Sequence, residues 1–440
     1  MSKKIVIFGA GLVVKPMVDY LAEHGFEIIV ASRTLSKAEK LAGSHAKVTA
    51  RQVNSADESA MEALVKGSDL CVSLLPANLH VSVARKCLKY GKHMVTTSYI
   101  SPEMRSLDQQ AKEAGIIILN EIGVDPGIDH MSAMKIFHEV ESKGGKITSF
   151  MSYCGGLPAP EANTNPLGYK FSWAPKGVLK AAGNGARYMK DGKIVEIEGK
   201  DLFRNYWFVN VEGIGTLEAY PNRDSMGYVD LYGLKNLKTM YRGTFRNISH
   251  CETWLTLSQM GFFKEDEVFE GLSGTVRDFI LTRMFKVGKD VCLRELLQEK
   301  FNLSEASVVL KKFDWLGFFD ETPMPITEGG AIDVLTALML EKMSYEKGER
   351  DLIVLHHQFL AEYPGKTQKI TSTMIDYGIP GGDTSMARTV SLPAAIGVRM
   401  ILEGKISLSG VHMPILPEIY QPVLDELESL DIKLVERFYD

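Results

Sequence analysis

Cysteine is scarce in this 440-residue chain: five residues, Cys71, Cys87, Cys154, Cys251 and Cys292, odd in number and far apart. No pair has the close spacing that holds zinc or staples a small secreted fold, so a reducing compartment is expected. An excess of one charge is also missing. The formal charge is −5 and acids and bases are interspersed, which leaves no basic face for a phosphate backbone and argues against nucleic acid as a partner. No apolar run is long enough to span a bilayer, and the first strand begins by Ile5, leaving no room for a cleavable leader, so a cytoplasmic protein off the membrane is expected. His356 and His357 are neighbours on a predicted strand and point to opposite faces, so they cannot easily share a metal, and no metal site is expected. Repeats and low-complexity stretches are absent too. With 45% hydrophobic residues, a chain of this length suggests two or three domains.

What the chain does have is a strong opening. Lys4 to Phe8 is a buried strand running into Gly9-Ala10-Gly11-Leu12-Val13-Val14, after which Val18, Leu21 and Ala22 recur at helical spacing. This is the strand, glycine turn and helix of a dinucleotide site. The first glycine permits the tight turn, and the second lets a backbone amide approach a pyrophosphate at the positive end of the helix. Val14 stands where a third glycine is usual, which should set the helix slightly off the sheet. Further strands are predicted at Ile28 to Ser32, Val48 to Val53, Leu70 to Leu75, His93 to Thr97 and Ile116 to Leu119. Together they predict a Rossmann-type, doubly wound parallel sheet. At the end of its second strand stand Ser32, Arg33 and Thr34, with no acid to meet a ribose hydroxyl, so NADP is expected over NAD. The competing reading of Arg33 is a solvated arginine starting a surface helix.

Asn120-Glu121-Ile122-Gly123-Val124-Asp125-Pro126-Gly127-Ile128-Asp129-His130 follows the last predicted strand of that sheet, where ligands sit. Pro126 and Gly127 break regular structure, and Asp125 and Asp129 flank the break, so either a cleft carboxylate or a polar interdomain turn fits. Thr97, Ser98 and Tyr99 end the preceding strand and are candidates to contact the reacting part of a substrate.

Beyond this point the pattern becomes a mixed α/β one. A strand is predicted from Ile147 to Cys154, with Cys154 at the mouth of a shaped loop from Gly155 to Glu161 that continues in Asn165 to Trp173. Tyr220 to Ser225 and Tyr241 to Arg246 each carry arginines, the natural partners of carboxylates, although such residues are also ordinary on surfaces. From about 251 to 328 short amphipathic helices predict a small helical insertion, including Val291 to Phe301 and Asn302 to Trp315 with Asn302 as cap and Glu305 three residues on. Strands return at Leu352 to Phe359 and Lys369 to Ile375, and a helix from Ser385 to Leu402 is expected to break near Pro393.

Assembled, these segments resemble the saccharopine reductase family, the NADP-dependent, glutamate-forming saccharopine dehydrogenases. The most specific stretches are Thr96 to Tyr99, Asn120 to His130, Ser152 to Glu161, Asn165 to Trp173, Tyr220 to Ser225 and Arg242 to Arg246. The resemblance implies a dinucleotide domain (1–124 with about 390–440), a substrate domain (125–250 with about 331–389) and a small helical domain (251–330). It implies interconversion of saccharopine with L-glutamate and 2-aminoadipate 6-semialdehyde through an imine and hydride transfer, by a homodimer, with NAD as a weaker alternative cofactor. Cofactor contacts carry over onto Gly9, Ala10, Gly11, Leu12, Ser32, Arg33, Thr34, Leu75, Val124, Asp125 and Pro126. Substrate contacts carry over onto Thr97, Ser98, Asp125, Arg223, Thr244, Phe245 and Arg246, and Asp125, Cys154 and Tyr99 are the catalytic candidates. Two other classes remain in view: a reductase joining another amine and aldehyde, of the carboxylated polyamine synthase type, and a nonenzymatic NADP-binding sensor.

Overall fold

The computed structural model describes residues 2–264 and 267–439. Its contacts divide the chain into two compact units, Met1–Lys146 with Ser372–Arg437, and Ile147–Thr371 with Phe438–Asp440.

The first unit holds a seven-stranded parallel sheet built from β1 (Lys4–Phe8), β2 (Glu27–Ser32), β3 (Val48–Gln52), β4 (Leu70–Ser73), β5 (His93–Val95), β6 (Ile117–Leu119) and a late strand, Gly410–His412. The order is Gly410–His412, β6, β5, β4, β1, β2, β3. All pairings are parallel. Strands of this kind are covered on both faces, which is why they read as continuous apolar runs such as Ile5-Val6-Ile7-Phe8. Each predicted strand is present, with its end trimmed or extended by one or two residues. The order reverses between β1 and β4, so ligand-facing residues belong at the carboxyl ends of β1, β2, β4 and β5.

The helix Ser385–Leu402 runs unbroken through Pro393, contrary to the break expected there. Proline removes one backbone hydrogen bond, but Leu392, Ala394, Ala395, Ile396 and Val398 around it are all buried, and that packing keeps the helix continuous.

The second unit centres on a mixed sheet. Its strands are β7 (Lys146–Pro158), β8 (Ala186–Lys190), β9 (Lys193–Ile197), β10 (Trp207–Val211), β11 (Gly215–Pro221), β12 (Thr239–Arg246), β13 (Asp351–Tyr363) and β14 (Lys366–Tyr377). The path runs β10, β11, β12, β7, β13, β14, with β8 paired to β12 and β9 to β8. β7 does not stop at Cys154. It continues through Gly155 and Gly156 to Pro158, and the register explains the glycine: a Cβ on Gly155 would lie 2.6 Å from the Phe245 Cβ on β12. What reads in sequence as a loop is two strands in close approach.

The helical stretch lies within this unit, where Phe262, Leu297, Leu310, Phe313 and Leu335 share one buried cluster. Asn302 is not a helix start. It takes a left-handed φ of 52° and ends the helix Leu293–Phe301, while the next helix, Val308–Leu316, is capped by Ser307, whose side chain accepts from the Val309 amide. Asparagine tolerates that left-handed position, and the cap-like spacing to Glu305 concealed it. Among the described residues no helix is long and apolar enough to cross a membrane, and no group of three or more His, Cys, Asp or Glu could hold a metal ion.

Candidate active site

In the first unit the glycine turn is built for close approach. Gly9 has φ 120°, and a Cβ there would sit 2.8 Å from the Leu74 carbonyl oxygen, so no other residue fits between β1 and the end of β4. Its amide donates to the Ala31 carbonyl at 2.9 Å, tying the turn to β2. At Gly11 a Cβ would meet nothing within 4 Å, which leaves the open backbone approach that a pyrophosphate needs at the start of the helix Lys15–Glu23. Ala10 borders this space, and Leu12, 69% exposed, projects from it. Val14 is fully buried, so the missing third glycine is replaced by packing.

At the end of β2, the Ser32 hydroxyl accepts from the Thr34 amide at 3.2 Å. Arg33 is exposed, and among the described residues its guanidinium has no ion pair. A free cation and no acid at this point fit a 2′-phosphate and would leave a bare ribose hydroxyl without its usual acceptor. Leu75 is half-buried beyond β4, bordering the same strand ends.

The next strand end meets the loop after β6. A Cβ on Gly123 would lie 3.2 Å from the Thr97 Cβ, and one on Gly127, at φ 149°, would overlap the Gly123 backbone. Three backbone hydrogen bonds close the loop: Gly123 N to Pro126 O, Ile128 N to Gly123 O and Asp129 N to Val124 O. The Asp125–Pro126 peptide is cis. This is a buried, tightly knotted turn and not an exposed linker.

The two carboxylates flanking it have separate fates. Asp129 Oδ1 accepts from the Gly127 amide at 2.6 Å and the His130 amide at 2.8 Å, so it serves the start of the helix Ile128–Ser142. Asp125 is half-buried and accepts from the Tyr99 hydroxyl at 2.9 Å, joining two of the three catalytic candidates. Glu121 was given no role by sequence reasoning, yet it is buried, accepts from the Ile100 amide at 2.8 Å, and lies 2.9 Å from His130 Nε2. Its contact with Ile100 ties it to the backbone just after Tyr99.

In the second unit, parallel pairing sets Thr244 opposite Cys154 and Arg242 opposite Ser152. Side chains alternate, so Cys154, Thr244 and Arg246 share one face of the sheet while Phe245 turns to the other. There Phe245 stacks on Tyr153 with ring centroids 5.0 Å apart; of its atoms, the carbonyl is the one on the site side, accepting from Arg246 Nη1 at 2.8 Å.

Arg246 is 7% exposed. Its guanidinium lies over the Tyr169 ring at 4.9 Å, its Nε has no partner, and no carboxylate pairs with it among the described residues. Both nitrogens of nearby His250 are likewise buried without partners, and burial first, then the Arg246 charge, push that imidazole well below its ordinary range. Tyr220 stacks on His250, and burial pushes the Tyr220 and Tyr169 phenols up, so both are neutral hydrogen-bond donors. Arg223 lies elsewhere in this unit: exposed, with φ 56°, its carbonyl accepting from the Arg187 amide at 3.0 Å. A left-handed arginine is strained by about 1–2 kcal/mol.

Sequence reasoning thus named Arg246 but not the walls around it. The segments that supply Tyr169 and Tyr220 were visible; His250, just beyond the second arginine segment, gave no signal of its own.

Comparison with known proteins agrees with this geometry. Residues 5–119 match the saccharopine dehydrogenase NADP binding domain and residues 123–432 the saccharopine dehydrogenase C-terminal domain. The chain is 40% identical to the NADP-dependent, L-glutamate-forming saccharopine dehydrogenase of Schizosaccharomyces pombe, over 99% of each chain. It is 36% identical to the alpha-aminoadipic semialdehyde synthase of Arabidopsis thaliana, over 99% of this chain and 45% of that one. The solved apo structure of the L-Glu-forming saccharopine dehydrogenase from Saccharomyces cerevisiae superposes with a TM-score of 0.90 at 37% identity, covering 100% of both chains. A parallel sheet with an NADP-suited cradle, a second unit with an unpaired buried arginine and full-length similarity at this level place the chain in the saccharopine dehydrogenase family.

Proposed function

We propose that this chain is an NADP-dependent oxidoreductase that interconverts saccharopine with L-glutamate and 2-aminoadipate 6-semialdehyde. The observation that carries the substrate class is Arg246. A guanidinium that is buried without a carboxylate is costly, and an anionic ligand that enters its pocket removes that cost; saccharopine, with three carboxylates, is such a ligand. Thr244 and Cys154 share its face of the sheet, and Arg223 supplies a second, exposed cation. The division into a dinucleotide domain, a substrate domain from 125 and a helical domain over 251–330 is kept as the functional partition.

When bound, NADPH supplies the hydride, or NADP accepts it. The residues that would hold it are Gly9 to Leu12 for the pyrophosphate, Ser32 to Thr34 for the 2′-phosphate, and Leu75 with Val124 to Pro126 at the far strand ends. The rest of the chemistry falls to the substrate and the groups around it. The glutamate amine condenses with the aldehyde, water leaves, and the imine becomes the secondary amine by gaining a hydride at carbon and a proton from solvent at nitrogen. In reverse, hydride leaves only when the nitrogen lone pair is free, so the amine must be neutral at that moment. Asp125, oriented by the Tyr99 hydroxyl, holds the ammonium form electrostatically, and solvent takes the proton. Thr97 and Ser98 position the substrate beside it.

The resemblance also supports a homodimer acting in the cytoplasm, which light scattering and cell fractionation check. The test of function is spectrophotometric: purified protein with saccharopine and NADP should form NADPH, faster than with NAD. Tight NADP binding with no turnover of saccharopine or of any amine and aldehyde pair would instead make it a sensor.

A further inference from the structure

A histidine that this chemistry does not use bridges two strand ends of the first unit. His80, 4% exposed, opens the helix His80–Tyr90. Its Nδ1 lies 2.8 Å from the Ser73 hydroxyl, at the end of β4, and its Nε2 lies 2.8 Å from the Ser98 hydroxyl, just past β5. Ser73 is fully buried and Ser98 half-buried. Burial pushes the imidazole down to about 4, so near neutral pH one ring nitrogen donates and the other accepts.

Two arrangements satisfy the distances. In one, the Ser73 O–H donates to Nδ1 and the Nε2–H donates to Ser98 Oγ, which leaves the Ser98 hydrogen free to point outward. In the other, Ser98 donates to Nε2 and the Nδ1–H donates to Ser73, whose own hydrogen then needs a further acceptor. Among the described residues Ser73 Oγ has no partner except His80. A fully buried hydroxyl hydrogen left unmet is costly and rare, so the first arrangement wins. Ser98 itself is held still: its carbonyl accepts from the Glu121 amide at 3.2 Å, and its amide donates to the Thr96 hydroxyl at 3.4 Å.

We propose that Ser73 and His80 are positioning residues that fix the polarity of Ser98, making its hydroxyl a donor to a carboxylate oxygen of the substrate and not an acceptor for the substrate's amine. The proposal rests on Ser98 touching the substrate, as proposed above. It also assigns partners within the first unit: Asp125 takes the cationic nitrogen, and Ser98 takes an anionic oxygen.

The experiment pairs a spectrum with a mutant cycle. In enzyme labelled with 15N-histidine, the imidazole signals that vanish in His80→Gln belong to His80, and they should show the proton on Nε2 and none on Nδ1. Ser73→Ala removes the donor to Nδ1; it should populate both tautomers and raise the saccharopine KM by about fivefold, the size of one neutral hydrogen bond, with kcat and the NADP KM little changed. In a Ser98→Ala background the same substitution should add nothing. A proton resting on Nδ1 in the unaltered enzyme overturns the polarity while leaving the proposed function intact. An undiminished effect of Ser73→Ala in the Ser98→Ala background means a merely structural role, and also overturns it. A saccharopine KM unmoved by Ser98→Ala removes the contact itself, and with it both the proposal and the assignment of Ser98.

Discussion

Under the proposed function the two units each present an arginine to a ligand, and they do so in opposite ways. Arg33 is exposed at the end of β2, where water solvates it until a nucleotide binds. Arg246 is buried against Tyr169, Tyr220 and His250, and among the described residues it forms no ion pair, the Glu218 carboxylate opposite it on β11 being taken by the Ser249 and Cys251 amides. A solvated cation gives up water to bind, so its net contribution is modest; a desolvated one has already lost its water during folding, and the ligand meets it without that cost. On this proposal the first tunes a preference between two cofactors, and the second decides whether an anion binds at all.

The sharpest way to break this contrast is Arg246→Met. Losing one partner of a buried, hydrogen-bonded charge pair costs about 2–5 kcal/mol. The saccharopine KM should therefore rise by roughly thirtyfold to several thousandfold, while NADP affinity holds and thermal stability stays level or increases, because a buried charge without a counterion is gone. A fall in NADP affinity in titration calorimetry would mean that the residue serves the other ligand.

Acid should separate the units next. Burial pushes His80 in the first unit and His356 in the second down to about 4, and it also lowers His93 in the first unit and His250 in the second, His250 well below its ordinary range. The unfolded chain takes up these protons near pH 6.5 whereas the folded one resists to about 4, so the unfolded state binds more protons in that window. The stability is fully present above pH 6.5 and is lost as pH falls towards 4, on the order of 3 kcal/mol per histidine. Because His250 is buried whereas His93 is half-buried, hydrogen exchange should show the second unit weakening more steeply; equal weakening would contradict the assigned burial.

Arg33→Ala comes third. It should reduce the preference for NADP over NAD by roughly tenfold to a hundredfold, the worth of one charge-assisted contact, with the saccharopine KM and the melting temperature unchanged. Equal use of both cofactors by the unaltered protein would remove its basis.

Asp125→Asn should give the smallest effect of these. The carboxylate that Tyr99 holds is expected to work by charge, so the saccharopine KM should rise about tenfold and kcat should fall less. General base catalysis is worth about 10² to 10⁴ in rate. A kcat loss of that size with binding intact, and with the basic limb of the pH profile abolished, would make Asp125 the base.

How much of this was legible depends on whether the signal was local. The strands of the first unit, the turn at Gly9 and the missing acid beside Arg33 are statements about adjacent residues, and the sequence carries them. Gly155 was legible as a glycine but not as a strand residue, because its reason is Phe245, ninety positions away. Asn302 looked like a helix start because asparagine suits both ends of a helix. Arg246 could be named as a cation near a turn, but its isolation depends on Tyr169, Tyr220 and His250, which only the fold assembles. His80 did carry a signal, since His80, Ala84 and Cys87 fall on one helical stripe that faces the core; a histidine on such a stripe must find partners, and those partners are the ends of two strands.

The close approach of β7 and β12 also limits how this enzyme can be re-engineered. With no room for a Cβ at Gly155, the two backbones cannot slide or spread to suit a ligand with differently spaced carboxylates. What can vary is the alternate row of side chains that this locked pair presents, Cys154, Thr244 and Arg246. A search for altered substrate preference on this face is therefore a small library of side chains in that row, Ser152 and Arg242 included, and backbone insertions in either strand should yield unfolded protein before they yield a new specificity.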